Sequence, residues 1–411
     1  MLALSEELFI LSVALLICVA SILLIALLLR CAFHLEAFKR QRVESSPAYN
    51  LFSVRPLART DLVAPSVEDF RFVAENIIIL SAGNLADYYA KGEASAGNGR
   101  IVAIDLITET SRDLALSGFP SDKAFRPHGI DFSTRTRRLY VVNHANSGEE
   151  RVEIFLVSGV ERLETIQLEW QGCLLPPVPA GTLNAVTEAT DKDVYVTQWL
   201  PFRLPMDGTV RPRRFIDRLI VLANYGHIIL GRALGLAPFS LRFSRVIHCN
   251  ITNQTYSTAW SRLVSGNGIA SSPDGKLIFV VDCMRQFLGV FERDLLTGQL
   301  KPKRAVDMPH TADNVMLKPF QSDSDQLELW FGTIPDWMAY MSEALKRDKR
   351  RIPGGFMIGR YDVDDPDLVR FEDVFIHDGS VLPAVATAAR WRDNILLSGA
   401  KATGGVLICN K

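Results

Sequence analysis

The chain has 411 residues, of which 48% are hydrophobic, and its formal net charge at pH 7 is −1. A chain of this size and composition can bury a large core, and its charge gives no overall basic bias towards nucleic acid. Length alone would allow two domains. Closed all-β architectures commonly exceed the usual domain size, so one large domain behind an N-terminal segment is the simpler interpretation.

An apolar segment lies near the N-terminus, from Leu8 to Leu29, with about 22 residues and no charge, which is long enough to cross a bilayer as a helix. A cleaved signal peptide would have a shorter apolar region, a basic start and a small-residue cleavage site. This chain starts MLALSEE instead, and Arg30 follows the segment directly. We therefore predict a short tail at 1–7, a single transmembrane anchor at 8–30 that makes the lipid bilayer a partner, and a juxtamembrane linker at 31–64.

Six later segments share one pattern: a polar residue, then small or branched residues, a turn, and an apolar β-branched strand. They start at spacings of roughly 45 to 85 residues, which is within reach of a propeller-blade period once loops vary in length. In chain order the segments are EDFRFVAENIIILSAG from Glu68, HGIDFSTRTRRLYVVNH from His128, NAVTEATDKDVYVTQ from Asn184, NGIASSPDGKLIFVVD from Asn267, DNVMLKPFQSDSDQLELWFG from Asp313 and ATAARWRDNILLSGA from Ala386. The pattern predicts an all-β fold, a six-bladed β-propeller over 65–411.

The chain between the third and fourth units is longer than a blade requires. Residues 215–243, FIDRLIVLANYGHIILGRALGLAPFSLRF, are mostly apolar but too interrupted by Arg and His for a second membrane span. We predict a helical lid or an interfacial helix here, within an insertion at about 200–262. A helix packed on the propeller is the alternative.

The polar residues that open the strand-like segments are expected to meet. In a propeller every blade points its innermost strand at a central channel, so residues near the same end of different inner strands come together. Carboxylate and amide oxygens are hard ligands that suit calcium better than zinc. We therefore predict one calcium site formed by Glu68, Asn184, Asn267, Asp313 and Asn314. Each residue alone could be a turn or strand cap, but their recurrence at equivalent places favours the site.

Several short segments together resemble the paraoxonase/arylesterase family, over roughly Pro65 to Cys409. These are VEDF, RPHGID, VVNHA, TLNAV, NGIASSPDGKLIFV, ADNV, FIHDGSVLPA and GGVLICNK, in that order. The resemblance implies a six-bladed propeller with a catalytic calcium at the same five positions. It also implies a second, buried calcium held by Asp69, the carbonyl of Ile130 and a carboxylate at 185. Ala185 occupies that last position, so we expect the second site to be weak or absent.

Two histidines lie in the matching motifs, His128 in RPHG and His144 in VVNH. The resemblance implies a dyad in which the first imidazole activates a water molecule and the second orients it or shuttles the proton, chemistry that suits imidazole. A histidine merely hydrogen-bonded at the channel mouth is the alternative. We predict hydrolysis of lactones and aryl esters, with calcium polarising the carbonyl and His128 as base. Glu68 or Asp313 is the fallback base or nucleophile, and the absence of a G-x-S-x-G elbow implies no nucleophilic serine.

Ring closure is expected to depend on strand pairing between the chain ends. The family has a disulfide between a cysteine shortly before the Glu-Asp pair and one at the C-terminus. Cys409 matches the second partner, but no cysteine lies between Arg42 and Glu68. We therefore expect no such disulfide, a departure that suits a reducing compartment.

Signals for the membrane side of the domain conflict. Basic residues after the anchor favour a cytosolic domain by the positive-inside bias. The family resemblance and two glycosylation sequons, at Asn250 and Asn253, favour the lumen or the cell exterior. We predict a single-pass membrane protein with a lumenal or extracellular catalytic domain.

Three functions remain open. The favoured one is a membrane-anchored, calcium-dependent hydrolase whose partner is a small lactone or ester, with no nucleic acid involved. The second is a non-catalytic chaperone or accessory protein for a membrane-protein partner, which the anchor, Ala185 and the missing disulfide favour. The third is a gluconolactonase-like or strictosidine-synthase-like propeller, which would not predict both RPHG and VVNH.

Overall fold

The described part of the chain folds into six antiparallel sheets arranged as propeller blades. The computed structural model describes residues 21, 24, 46–49, 53–57, 66–91, 93–202, 242–320, 326–336, 340, 352–365, 369–399 and 405–410. The strands are β1 (Ser53–Pro56); β2 (Ser66–Ala74), β3 (Ile77–Gly83), β4 (Arg100–Asp105) and β5 (Thr110–Leu114) in blade 1; β6 (Leu116–Ser117), β7 (Pro127–Ser133), β8 (Arg138–His144), β9 (Glu150–Ser158) and β10 (Gln167–Leu174) in blade 2; β11 (Leu183–Glu188), β12 (Asp193–Gln198), β13 (Ser244–Asn250) and β14 (Thr255–Leu263) in blade 3; β15 (Gly266–Ser271), β16 (Leu277–Asp282), β17 (Phe287–Arg293) and β18 (Leu300–Asp307) in blade 4; β19 (Thr311–Leu317), β20 (Gln326–Ile334), β21 (Gly354–Asp362) and β22 (Val369–His377) in blade 5; and β23 (Thr387–Trp391), β24 (Asn394–Ser398) and β25 (Leu407–Asn410) in blade 6.

Each of the six segments predicted from the sequence supplies the innermost strand of one blade, namely β2, β7, β11, β15, β19 and β23. The prediction of a six-bladed all-β propeller is therefore confirmed. Within each blade consecutive strands pair antiparallel, and the short β6 adds to blade 2 as a parallel strand beside β10.

Apolar side chains fill the spaces between neighbouring blades. Ile79, Val141 and Phe155 pack between blades 1 and 2, and Phe279 and Phe331 between blades 4 and 5. Because each blade is covered on both faces, its central strands are continuous apolar runs and do not alternate apolar and polar residues. These apolar runs are the signal from which the sequence predicted the blades.

Blade 6 closes the ring by joining the two ends of the chain. β1 pairs antiparallel with β25, with Ser53 opposite Asn410 and Val54 opposite Cys409. Cys409 is buried and a free thiol. The expected closure by strand pairing is therefore confirmed.

Two boundaries predicted from the sequence need correction. The closing strand β1 lies inside the range 31–64 that was expected to be a linker; most of its side chains are exposed, so it carries no apolar pattern to reveal it. Strands β13 and β14 lie inside the 200–262 insertion and are the outer half of blade 3. The apolar segment at 215–241, on which the lid prediction depends, lies outside the described residues.

Two short helices, α1 (Leu85–Lys91) and α2 (Glu93–Ala96), connect β3 to β4. Single 3-10 turns occur at Asn146–Gly148, Leu163–Thr165 and Cys283–Arg285. Among the residues that the structure describes, no helix combines the length and the apolar character needed to span a membrane. Apart from positions 21 and 24, the predicted anchor at 8–30 lies outside those residues and stays a prediction.

Candidate active site

A β-bulge interrupts five of the six inner strands at the residues predicted to form the site. In β2 the regular pairing stops at Val67 and resumes at Phe70, which leaves Glu68 and Asp69 out of the ladder. The same interruption falls on His128–Gly129 in β7, Asn184–Ala185 in β11, Asn267–Gly268 in β15 and Asp313–Asn314 in β19. Strand β23 has no such shift. Bulges re-aim side chains and are common beside active sites. The polar residue followed by a second residue, often a small one, in each sequence segment marks the position of such a bulge.

Neighbouring bulges lie so close together that two of them require glycine. A Cβ atom added to Gly129 would lie 2.4 Å from the carbonyl oxygen of Asn184, and one added to Gly268 would lie 2.7 Å from that of Asp313. Thr197 bridges the next pair, because its hydroxyl donates to the carbonyl of Asn267 at 2.6 Å. Hydrogen bonds from the Ile130 N–H to Asp69 and from Asn314 to the carbonyl of Glu68 link blade 1 to its neighbours, so the site residues form a ring.

Four of the five predicted calcium ligands hold a buried oxygen atom that has no hydrogen-bond partner. These atoms are Oε2 of Glu68 and Oδ1 of Asn184, Asn267 and Asn314. An unpaired oxygen in a buried position is costly, and four at equivalent places in one ring need a common explanation. A hard cation would satisfy all four. Asp313, the fifth predicted ligand, keeps part of its surface exposed.

Hydrogen bonds to the amide nitrogens hold the three asparagine oxygens in their orientation. Nδ2 of Asn314 donates to the carbonyl of Glu68 at 3.3 Å and to the hydroxyl of Thr387 at 3.0 Å. Nδ2 of Asn184 points at the His128 ring, 3.5 Å away, and Asn267 forms a side-chain hydrogen bond with Asp313. Because each nitrogen is held by a partner, each oxygen is left for another ligand.

The two carboxylates of the ring repel one another. Burial, and after it the charge of Glu68, raises the pKa of Asp313 well above its usual range. A bound cation would offset this repulsion. The described residues contain no group of three or more His, Cys, Asp or Glu side chains placed to hold a metal, so a cation here would depend on the amide oxygens. That donor set fits calcium rather than a thiolate- or imidazole-preferring metal.

Glu150, at the start of β9, fixes the proton positions in a chain of two imidazoles. Its carboxylate accepts the backbone N–H groups of Gly181 at 2.6 Å and Leu183 at 3.0 Å, and lies 2.9 Å from Nδ1 of His144. Nε2 of His144 is 3.0 Å from Nδ1 of His128. With the carboxylate as acceptor, Nδ1 of His144 carries a proton and Nε2 accepts from Nδ1 of His128. Nε2 of His128 is then left with its lone pair.

That lone pair lies beside two of the proposed calcium ligands. Nε2 of His128 is 3.7 Å from Oε1 of Glu68 and at the outer limit of hydrogen bonding from Asn184. His128 and His144 are both buried. The structure therefore brings the two predicted histidines and the predicted ligands together in one site.

Aromatic side chains from other segments complete the site, and the sequence did not single them out. Tyr88 stacks on His144 with ring centroids 5.1 Å apart, while the Tyr89 hydroxyl lies 3.2 Å from Nε2 of His144. Burial raises the pKa of Tyr89 well above its usual range, so its hydroxyl stays neutral. Trp199 packs edge to face on Tyr89 at 5.7 Å. Neither these rings nor Glu150 lies in a repeated motif, so no local signal could have found them.

The residues expected to hold a second calcium do not fit that role. Asp69 is fully buried, but both its carboxylate oxygens already accept hydrogen bonds, Oδ2 from the backbone N–H of Ile130 at 3.0 Å and Oδ1 from the hydroxyl of Thr387 at 2.8 Å. Ala185 offers no side-chain oxygen. The doubt that Ala185 raised from the sequence is thus strengthened.

The two predicted glycosylation residues lie away from this site, at the opposite end of blade 3. Asn250 ends β13, and its amide nitrogen is 3.3 Å from Oδ1 of Asp193 while its oxygen accepts the backbone N–H of Asn253 at 3.0 Å. Asn253 is exposed. Only Asn253 therefore presents a side chain without these contacts.

Fold and site together define a six-bladed β-propeller with an oxygen-lined central channel and a carboxylate-linked histidine pair. No protein-family model matches the chain. It is 24% identical to serum paraoxonase/arylesterase 1 of Homo sapiens over 347 residues, which cover 80% of this chain and 82% of the relative. The Rattus norvegicus protein of the same name is 24% identical over 316 residues, with 73% and 74% covered. The chain is thus a divergent relative of the paraoxonase/arylesterases, as its motifs indicated.

A solved gluconolactonase from Xanthomonas campestris covers 88% of this chain and 90% of its own, with 11% identity and a TM-score of 0.46. A TM-score below 0.5 is too low for that protein to bear on the chemistry of this one.

Proposed function

We propose that the protein is a carboxylic ester hydrolase that acts on lactones and aryl esters and binds one calcium ion in its central channel. The observation that carries this proposal is the set of four unpaired buried oxygens on the proposed ligands, two of which, Glu68 and Asn184, lie beside Nε2 of His128. Kinship to proteins named paraoxonase/arylesterase supports the reaction class.

Glu68, Asn184, Asn267, Asp313 and Asn314 would hold the ion. When bound, calcium would supply a positive charge that polarises the substrate carbonyl and stabilises the negative charge that develops as water adds. The amide hydrogen bonds described above hold the asparagine oxygens in place before the ion arrives. Little reorganisation is then needed on binding.

His128 is the proposed general base. The proton of the attacking water moves to Nε2 of His128 while Nδ1 of the same ring stays hydrogen-bonded to His144. Glu150 then stabilises the positive charge that spreads over the two imidazoles, as a buried carboxylate does for an adjacent histidine. Glu68 and Asp313 are the fallback bases, but both are proposed calcium ligands, which leaves His128 the better candidate.

Tyr89 and Trp199 form an aromatic wall near the histidine pair and favour an apolar acyl or aryl group in the substrate. The segment at 215–241, predicted to cover the site, remains a proposal because it lies outside the described residues. So does the single-pass anchor at 8–30, with the catalytic domain on the lumenal or extracellular side. A glycan on Asn253, detected as a glycosidase-sensitive shift that Asn253→Gln abolishes, would support that side.

The full chain, purified in detergent, is the material for the test. Hydrolysis of aliphatic lactones and phenyl acetate is measured with calcium, with a chelator, and after calcium is restored. We expect turnover that requires calcium and falls at least a hundredfold in His128→Gln, since a positioned acid or base contributes about 10²–10⁴-fold. Activity should also be lost in Glu68→Gln, because that variant lacks a charged ligand of the proposed ion. Glu161→Gln, a change of an exposed carboxylate outside the site, is the control.

Different outcomes separate the proposals. Loss of activity in Glu68→Gln but not in His128→Gln would move the base to a carboxylate. A folded chain that binds calcium but hydrolyses none of these substrates would contradict the hydrolase and favour the non-catalytic accessory role.

A further inference from the structure

A second charged cluster, made by Asp69, Arg71 and Asp131, lies on the inner strands β2 and β7 beside the proposed calcium ligands. Arg71 follows the bulge of β2, and its guanidinium forms an ion pair with Asp69. Nε of Arg71 also lies 3.6 Å from Oδ1 of Asp131 on β7. Arg71 and Asp69 are both buried. The guanidinium therefore bridges the inner strands of blades 1 and 2.

This cluster differs from the proposed calcium ligands in its hydrogen bonding. Oδ1 of Asp69 accepts from the backbone N–H of Phe70 at 2.9 Å, from Arg71 and from Thr387; Oδ2 accepts from Ile130. No side-chain oxygen of Asp69 is among the buried atoms without a partner, in contrast to Glu68 one residue before it. The unpaired oxygens of the proposed calcium ligands could therefore accept a cation, whereas both side-chain oxygens of Asp69 already have partners.

The balance of buried charges also argues against a metal ion at Asp69. Buried charges in proteins are either paired or bound to metals. Here the buried guanidinium of Arg71 pairs with the buried carboxylate of Asp69 and also with Asp131, whose side chain is partly exposed. Ala185 lies next to Gly129, since a Cβ added there would be 3.2 Å from its methyl group, and the following residue, Ile130, donates its N–H to Asp69. A carboxylate at 185 would add a negative charge that one guanidinium could not balance.

We infer that Arg71 takes the place of a structural cation in this propeller, so that the chain binds a single calcium ion and its channel is braced by protein atoms alone. Asp69, Ile130 and Ala185 then form no metal site. A chelator should remove the ion from the proposed calcium ligands and leave the fold of the channel intact. This inference does not depend on the hydrolase activity proposed above.

The first test is calcium titration of the full chain after chelator treatment, followed by isothermal calorimetry. We expect one binding event per chain in the wild type and none in Glu68→Gln. Two events in the wild type, or a tight event that survives in Glu68→Gln, would overturn the inference. Absence of any binding would overturn the single calcium ion of this inference as well as the proposed active-site ion, and the next variants would then decide the role of Arg71.

The second test uses thermal melting with and without calcium. Arg71→Met should melt several degrees lower than the wild type, by the same amount in both conditions, because it leaves Asp69 buried and unpaired. Arg100→Met is the matched control: it removes an arginine whose ion pair with Asp113 is exposed on both sides, and should melt nearly as the wild type does. A wild-type melting temperature for Arg71→Met would overturn the inference.

The double variant Arg71→Met/Ala185→Asp exchanges the guanidinium for a carboxylate. If the guanidinium stands where a cation could bind, this variant should gain a second calcium-binding event and recover melting temperature only when calcium is present. Failure to gain calcium binding in a folded double variant would contradict the claim that the position suits a cation. If the variants do not fold, the wild-type titration still decides the number of ions.

Discussion

Replacing Glu150 by glutamine should show whether Glu150 sets the proton positions in the histidine pair or only holds the two rings in place. The glutamate accepts three N–H donors, from His144, Gly181 and Leu183. Glutamine offers only one acceptor oxygen, and its NH₂ group would face a donor. Nδ1 of His144 would then no longer be held as a donor, and the lone pair at Nε2 of His128 would lose its support.

The size of the effect follows from the position of Glu150 in the chain of contacts. It acts through His144 on His128, so we expect kcat to fall about a hundredfold, which corresponds to about 2.7 kcal/mol. The general-base contribution sets the upper limit of about 10⁴-fold. One buried donor left without a partner should lower the free energy of unfolding by about 1–3 kcal/mol.

The assay measures kcat and KM on a lactone across pH, alongside thermal melting and calcium binding. The loss should lie in kcat, with calcium affinity little changed, because the hydrogen bonds of Glu150 go to His144, Gly181 and Leu183 and not to a proposed ligand. Glu153→Gln is the matched control, since Glu153 is also buried on β9 but binds Arg151 and Trp170 instead of a histidine. It should destabilise the protein without a comparable loss of kcat.

A double variant sharpens the test. If Glu150 acts through His144, then His144→Gln/Glu150→Gln should lose no more activity than His144→Gln alone. Two outcomes would refute the action of Glu150 through His144. One is fully additive losses in the double variant, and the other is a folded Glu150→Gln variant that keeps kcat within threefold of the wild type.

Three further predictions follow from other contacts. Gly129→Ala should displace Asn184, weaken calcium binding and cost about 1–3 kcal/mol of stability, whereas Gly83→Ala, where the nearest atom to an added Cβ is 3.7 Å away, should do neither; equal calcium affinities in the two variants would contradict the close approach of the bulges. Burial acts to raise the pKa of Asp193, but hydrogen bonds from His248 and Thr190 and the charge of Arg293 outweigh it and lower that pKa. The stabilisation from Asp193 should therefore be complete above the pKa of the unfolded chain, about 4, and be lost as pH falls through the lower pKa of the folded protein. The urea midpoints of the wild type and Asp193→Asn should then converge in acid. A constant difference between them would be inconsistent with the lowered pKa. Reductant should leave the melting temperature unchanged, because Cys409 is a free thiol and ring closure is by strand pairing; a marked fall would mean that a disulfide supports the fold.

The sequence was most informative where structure depends on neighbours along the chain. The apolar runs that identified the blades reflect burial on both faces of a sheet, and the polar residue before a small one reflects a bulge in a single strand. Repetition turned these local signals into a prediction of five ligands, because equivalent ends of inner strands must meet in a propeller. The strand β1 was missed, since its exposed residues carry no such signal.

Contacts between segments were decided by the tertiary structure alone. Glu150 reaches His144 only because β8 and β9 pair, and it meets Gly181 and Leu183 only because blade 3 packs beside blade 2. Tyr88 and Tyr89 enter the site from the helix between β3 and β4. Arg71 looks like any strand residue until β2 and β7 bring it between two aspartates. Local patterns thus determined the blades and the candidate ligands, whereas proton control and charge balance arose from packing between blades, because the partners in those contacts share no sequence periodicity.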